Sequence, residues 1–143
     1  MGTVSEYLIP LEIFPMFFRP LIEGAAEDRA ALTAEYRASK KVGKIHLGST
    51  QLFYRSGLRI YYIPFRLIRR CFRRVHLVSI HMDGKKREIP VEYLVVCDDR
   101  GELFEAQIPG KEAALALMDD LKRLIPDAAF GKPPAALSSA EEA

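Results

Sequence analysis

Short stretches of alternating apolar and polar side chains dominate residues 44–109, and they constrain the fold more than any other feature of the chain. In Ile89–Cys97 every second residue is apolar or aromatic, and Leu103–Ile108 has the same period of two. Because successive side chains of a strand point to opposite faces, this alternation predicts strands with one buried face. The sequence therefore predicts a β-sheet at the centre of the fold.

Turn-forming residues punctuate this region at Arg55–Gly57, Asp83–Gly84 and Asp98–Gly101. Asp-Gly is a strong signal for a tight hairpin, and short loops between consecutive strands predict antiparallel pairing. Five strands are predicted, with Ile45–Leu47 and Phe65–Arg70 as two further candidates: Gln51–Tyr54, Leu58–Ile63, Val75–Met82, Ile89–Cys97 and Leu103–Ile108.

One helix is predicted before the β-rich region of the sequence, and one helix is predicted after it. Residues 25–42 are rich in alanine, carry acids early and lysines late, and stop at Gly43, which suits a helix. Residues 111–125 place apolar side chains at the i, i+3, i+4 spacing of an amphipathic helix, which Pro126 ends. We therefore expect an N-terminal arm and helix (1–43), a β-rich domain (44–126) and a disordered tail (127–143), with a Pro-, Ala- and Ser-rich end.

The N-terminal arm is apolar but interrupted by Pro10, Pro15 and Pro20. This pattern fits neither a signal peptide nor a transmembrane helix. An apolar arm must be covered, either by packing on its own chain or by packing on another subunit. For the second alternative the candidate interface residues are Tyr7, Ile13, Phe14, Phe17 and Phe18.

Positive charge is concentrated in residues 55–87, which contain ten basic residues and one acid, Asp83. Interleaved aromatic residues make this segment similar to surfaces that bind single-stranded nucleic acid, and anionic lipid attracts such patches too. Alternatively, the basic residues are solvated or pair with nearby acids of the same chain, namely Asp98, Asp99, Glu102 and Glu105. Because adjacent residues of a strand point to opposite faces, the ten charges cannot all meet one ligand. The candidate anion-binding residues are Arg66, Arg69, Arg70, Arg73, Arg74, Lys85, Lys86 and Arg87.

No pattern indicates catalysis, a cofactor, a metal or a small-molecule substrate. Phosphate-binding glycine motifs and Cys-x-x-Cys pairs do not occur. His76 and His81 are five residues apart, so one regular strand would place them on opposite faces. Cys71 and Cys97 are expected to be reduced core residues of a cytoplasmic protein.

The order of hairpins followed by one amphipathic helix, from Ile45 to Ile125, resembles the pleckstrin-homology-like (PH-like) family, and GLRIYYIPFRLIRRCFRRV looks similar to bacterial members. The resemblance implies an α+β fold: a strongly bent antiparallel sheet, or partly open barrel, that the C-terminal helix closes. That fold usually has seven strands. Many eukaryotic PH domains bind phosphoinositides through basic residues around the first hairpin, whereas the corresponding loop here, Gly48–Thr50, carries no charge.

Together these observations predict a non-enzymatic interaction or scaffold module of PH-like type that binds a protein partner or self-associates. A sheet edge and the apolar arm are its expected surfaces. The alternative is a module that binds polyanions, either anionic lipid or single-stranded nucleic acid, through the basic segment 55–87.

Overall fold

A computed structural model describes residues 17–132 of the chain. The predictions for Tyr7, Ile13, Phe14 and residues 133–143 lie outside this range. The elements are, in chain order, β1 (Phe17–Pro20), α1 (Arg29–Arg37), β2 (Lys40–Val42), β3 (Ile45–Leu47), β4 (Gln51–Ser56), β5 (Arg59–Pro64), a 3-10 turn (Phe65–Leu67), β6 (Arg70–Met82), β7 (Lys85–Asp98), β8 (Gly101–Ile108), α2 (Lys111–Leu124) and β9 (Ala129–Phe130).

The strands form two sheets, which confirms the α+β class. The first has the order β1-β5-β4-β3-β2 and the second has the order β8-β7-β6-β9. Consecutive strands from β2 to β5 and from β6 to β8 pair antiparallel, as the turn signals predict. β1 and β9 add parallel edge strands. Within residues 17–132 the two sheets do not join into a closed barrel.

The main core lies between the two sheets and α2. Ile45, Leu52 and Ile63 of the first sheet share one cluster with Leu94 and Val96 of the second sheet. Helix α2 covers this cluster with its apolar face, formed by Ala114, Leu117, Met118 and Leu121, and the predicted helix 111–125 is thereby confirmed to within one residue.

Helix α1 is shorter than the predicted helix 25–42. It begins after Asp28, whose carboxylate accepts a hydrogen bond from the backbone N–H of Ala31 (3.0 Å), and it ends at Arg37. Lys40–Val42 instead form β2, which pairs with β3 across a turn at Gly43, where φ is +62°. Strand pairing therefore overrides the helix propensity of the two lysines.

Two further segments differ from the expectation. Phe65–Leu67 form a 3-10 turn, so only Arg70 of the candidate strand Phe65–Arg70 lies in a strand. Ala129–Phe130, which fall in the segment expected to be disordered, pair with Arg70 and Cys71 as β9.

The β3–β4 turn is held by a carboxylate of α1. Oε2 of Glu35 accepts hydrogen bonds from the backbone N–H of Thr50 (2.8 Å) and of Gln51 (2.6 Å), while Oε1 accepts one from Oγ1 of Thr50 (2.7 Å). The carboxylate fits because the turn contains Gly48, where an added Cβ would lie 2.2 Å from Oε2. Glu35 therefore accepts from three donors of this loop inside the chain.

Gly48→Ala should lower the free energy of unfolding by about 2 kcal/mol, because the new methyl group displaces the Glu35 carboxylate from three donors. Urea unfolding would measure this loss. Glu35→Ala should cost a similar amount, and the double variant should cost clearly less than the sum. The exposed neighbour Ser49→Ala serves as the control. Additive losses would contradict this account of Gly48.

Candidate interaction surface

The β6–β7 hairpin is much longer than the strands that flank it. β8 pairs with β7 only over Glu92–Asp98, and β9 pairs with β6 only at Arg70 and Cys71. Within residues 17–132, Val75–Val91 therefore form a two-stranded extension, which we call the ribbon. At about 3.3 Å per residue it continues about 25 Å beyond the end of β8.

The ribbon has two faces because side chains alternate along each strand. Direct cross-strand pairs place His76 beside Val91, Val78 beside Ile89, Ile80 beside Arg87, and Met82 beside Lys85. We call the face that carries these eight side chains the ribbon face. The opposite face carries Val75, Leu77, Ser79, His81, Lys86, Glu88 and Pro90.

Apolar side chains on the ribbon are unusually exposed. Residues 17–132 contain eight exposed large hydrophobic residues, and five of them lie on the ribbon. On the ribbon face Met82 is 50% exposed, Ile89 39% and Val78 38%; on the opposite face Leu77 and Val75 are exposed. Five of the eight residues therefore lie on one hairpin, three on the ribbon face and two on the opposite face.

A cluster of paired charges lies where the ribbon face meets the sheet; we call Arg74, His76, Glu102 and Glu105 the base cluster. Arg74 bridges Glu102 (2.9 Å) and Glu105 (3.1 Å), and Nε2 of His76 lies 2.7 Å from Oε1 of Glu105. Hydrogen bonds from His76 and, less strongly, Arg74 lower the pKa of the Glu105 carboxyl below its usual value. Both of these partners contact Oε1, and no residue in 17–132 hydrogen-bonds Oε2.

On the other side of the sheet Arg73 forms a two-pronged ion pair with Glu92. Nε of Arg73 contacts Oε1, and NH2 lies 3.2 Å from Oε2. Glu92 is only 5% exposed. Its hydrogen bonds with Arg73 lower the pKa of the Glu92 carboxyl, and the charge of Lys111 adds a smaller effect.

The structure does not bring the predicted anion-binding residues together. Arg69 pairs with Asp99 (2.9 Å) and donates to the backbone O of Arg66 (2.6 Å), whereas Arg70 donates to the backbone O of Gly131 (2.9 Å). Arg73 and Arg74 are paired on opposite faces, as described above. Arg66 is exposed in the 3-10 turn Phe65–Leu67. The other three members, Lys85, Lys86 and Arg87, lie at the ribbon tip, where no carboxylate of residues 17–132 comes within 4.0 Å of them.

Of the predicted arm interface, only Phe17 and Phe18 fall in the described range. Phe18 packs against Tyr36, Phe53 and Tyr62 inside the chain, with ring centroids 6.0–6.4 Å apart. Phe17 is 48% exposed. Phe18 therefore packs on its own chain, whereas Phe17 is exposed.

The histidines and cysteines do not converge. His76 and His81 point to opposite faces of β6, and Ser79 lies on the face away from the His76–Glu105 pair. Burial raises the pKa of the Cys71 thiol to about 12, which leaves almost no thiolate at neutral pH. Cys97 is also buried and unbridged. No group of three or more possible metal ligands occurs in residues 17–132.

Sequence reasoning missed the ribbon because it detected the Asp83–Gly84 turn but began the following strand at Ile89, four residues too late. Lys85–Glu88 continue β7 to the turn, so β6 and β7 have 13 and 14 residues against eight in β8. The available signal was this difference in length, since a hairpin longer than its neighbour must extend past the sheet.

Comparisons of the chain with protein-family models, with curated proteins and with solved structures gave no match. In the described part of the chain, neither helix is long and apolar enough to cross a membrane.

The Arg73–Glu92 pair predicts a specific pH dependence of stability. The folded pKa of Glu92 lies below the ordinary glutamate value of 4.5, so the pair contributes stability above that pH and loses it as the pH falls through the folded pKa. Glu92→Gln should cost about 1–2 kcal/mol at neutral pH. Its unfolding free energy should fall less steeply than that of the wild type between about pH 5 and pH 3.

Urea unfolding at several pH values would test this expectation. Glu88→Gln is the matched control, because Glu88 lies four residues before Glu92 on the same face of β7 but is exposed. Parallel pH profiles for wild type and Glu92→Gln would contradict a role for the ion pair.

Proposed function

We propose that the chain is a non-enzymatic interaction module of PH-like type and that it binds a protein partner through the ribbon face. The observation that carries this proposal is the exposure of Val78, Met82 and Ile89 on one face of a ribbon that extends beyond both neighbouring strands. The two buried free thiols favour a reducing compartment, and a cytoplasmic location is part of the proposal.

The order of elements supports the PH-like part of the proposal. Four consecutive antiparallel strands, β2–β5, are followed by three more, β6–β8, and then by α2. This gives the seven strands and closing helix that the resemblance implies, with β1 and β9 as added edge strands. With β2–β8 as the seven strands, the first hairpin is β2–β3, with its turn at Gly43. The loop Gly48–Thr50 is therefore the second turn, and the contacts of Glu35 with Thr50 and Gln51 use three of its donors.

The energetics of a two-stranded ribbon support a docking role. An isolated hairpin is marginally stable in water, and apolar side chains exposed on it gain nothing from burial in the free chain. Covering them with a partner would recover about 25 cal/mol for each Å² of apolar surface removed from water. The exposed apolar pairs therefore become favourable only in a complex.

A shortened ribbon provides the test. Deletion of residues 78–81 and 86–89 removes four cross-strand pairs and joins Leu77 to Met82 and Lys85 to Pro90, so the Asp83–Gly84 turn and the side-chain alternation are kept. Because the deleted residues are largely exposed, the unfolding free energy should change by less than about 1 kcal/mol. Partner capture from a lysate of the source cells should be lost.

A photo-crosslinking residue at Ile80 gives the positive readout, with the exposed apolar Leu115 on α2 as the matched position. We expect a discrete cross-linked protein from position 80 and none from position 115. Equal labelling at both positions, or capture by the shortened chain at the wild-type level, would overturn the proposal.

A second candidate function is polyanion binding, favoured by one observation: Lys85, Lys86 and Arg87 lie at the ribbon tip with no carboxylate of residues 17–132 within 4.0 Å of their side-chain nitrogens. It requires only the tip, since the four arginines at positions 69, 70, 73 and 74 have partners within the chain.

If the tip binds polyanions, affinity for anionic vesicles or single-stranded nucleic acid should fall steeply with salt, because counterions are released. Co-sedimentation at two salt concentrations would measure it. Replacement of all three tip cations by alanine should abolish binding, whereas Arg69→Ala should change it little. Retained binding after the triple replacement would contradict this function.

A further inference from the structure

We propose that the partner of the ribbon face is a second copy of this chain, packed in a two-fold arrangement with the two ribbons antiparallel. This inference rests on the proposed function and names its partner. It is carried by the order of charges along the ribbon face.

Three zones follow one another on that face. At the sheet end lies the base cluster, which contains two carboxylates. The middle zone is apolar, with Val78 beside Ile89, and Val91 and Ile80 on either side of this pair. At the tip Arg87 and Lys85 lie beside Ile80 and Met82. The face thus carries two carboxylates with their partners Arg74 and His76 at one end, is apolar in the middle and is basic at the other end.

Such an order is complementary to itself when reversed. A two-fold axis through the apolar middle, between the His76–Val91 pair and the Val78–Ile89 pair, superimposes the middle zones of two ribbons. The same axis lays the tip of each ribbon over the sheet end of the other. Each apolar zone is then covered by its copy, and the tip cations meet the base cluster of the partner twice.

The carboxylate of Glu105 can accept this second partner. Arg74 and His76 both contact Oε1, so Oε2 is open within residues 17–132. A carboxylate offers about four lone-pair sites, and a guanidinium carries five donors in a planar fork, so Arg87 of a second copy can bond Oε2 while the internal contacts persist.

The alternatives fit the ribbon face less well. A flat anionic surface that met the whole face would also meet Glu102 and Glu105, which are 42% and 30% exposed in their side chains, and would be repelled there. A polyanion can use only the tip and leaves the apolar middle uncovered. A second copy satisfies all three zones at once.

Sedimentation velocity of the full chain over a range of about 1–200 µM, spanning ordinary affinities for a small interface, tests the proposal. We expect a reversible monomer–dimer equilibrium. Arg87→Glu should weaken it at least tenfold, since a like charge then faces Glu105. Lys86→Glu is the matched control: it makes the same charge change at the adjacent residue, but on the opposite face, and should weaken the dimer less than threefold.

A charge exchange makes the test independent of folding defects. Glu105→Arg should also weaken the dimer, and it disturbs Arg74 and His76 as well. An equimolar mixture of Arg87→Glu and Glu105→Arg should associate at least tenfold more tightly than either variant alone, because every tip then faces a base of opposite charge. A variant that had merely lost its fold would not be restored by mixing.

The apolar zone has its own matched pair. Val78→Thr removes apolar surface from the ribbon face, and Leu77→Thr removes it from the opposite face at the adjacent position. We expect Val78→Thr to weaken the dimer several-fold and Leu77→Thr to leave it within twofold.

Four results would overturn the second-copy proposal. In the first result, the chain is a monomer at every concentration but still captures another protein through the ribbon. The proposed function would then stand with a different partner. In the second result, the chain is a monomer and the shortened ribbon captures as much partner protein as the wild type does. This result would overturn both the second-copy proposal and the proposed function. A monomer with ribbon amides protected from hydrogen exchange would mean that the face is covered within the chain. Equal effects of Arg87→Glu and Lys86→Glu, with vesicle binding, would favour the polyanion.

Discussion

The β6–β7 ladder is the constraint on which the rest of the structure depends. Its thirteen consecutive residue pairs run from Arg70–Cys97 to Met82–Lys85 without a break in register. One end lies in the core, where Cys71, Leu94 and Val96 pack under α2; the other end leaves the sheet as the ribbon. Because side chains alternate strictly along an unbroken ladder, the burial of Leu94 and Val96 also determines which ribbon residues share a face with Arg74 and Glu105.

Local signals were sufficient to predict most of the fold. Turn signals, together with the period of two in residues 89–97 and 103–108, located β4 to β8, while the i, i+3, i+4 spacing located α2 nearly to the residue. The predicted helix 25–42 extended too far because Lys40–Val42 have adequate helix propensity. The pairing of these residues with Ile45–Leu47 depends on tertiary context. The parallel pairing of β1 with β5 left no periodic signal in four residues.

The candidate site could be predicted only in part, because charge in a sequence carries no pairing information. The ten basic residues of 55–87 form one block in sequence, yet Arg73 is paired with Glu92 on one face and Arg74 with Glu102 on the other. Strand alternation explains the division between the two faces, and the acids come from β7 and β8, which sequence position alone does not place. What remains at the tip is three cations, attached to an apolar surface that the charge pattern had obscured.

An exposed ribbon also poses a problem of specificity. Beyond β8 and β9 its backbone edges are unpaired within residues 17–132, and open edges invite indiscriminate strand addition. Pro90 removes one backbone donor from the β7 edge region, and the charges of Lys85, Lys86, Arg87 and Glu88 discourage the approach of a similar edge. Face-to-face packing meets no such barrier, since the apolar side chains project from the faces and not from the edges. The charges near the tip therefore oppose edge pairing, and in the proposed dimer Lys85 and Arg87, which lie on the ribbon face, set the register of face-to-face packing.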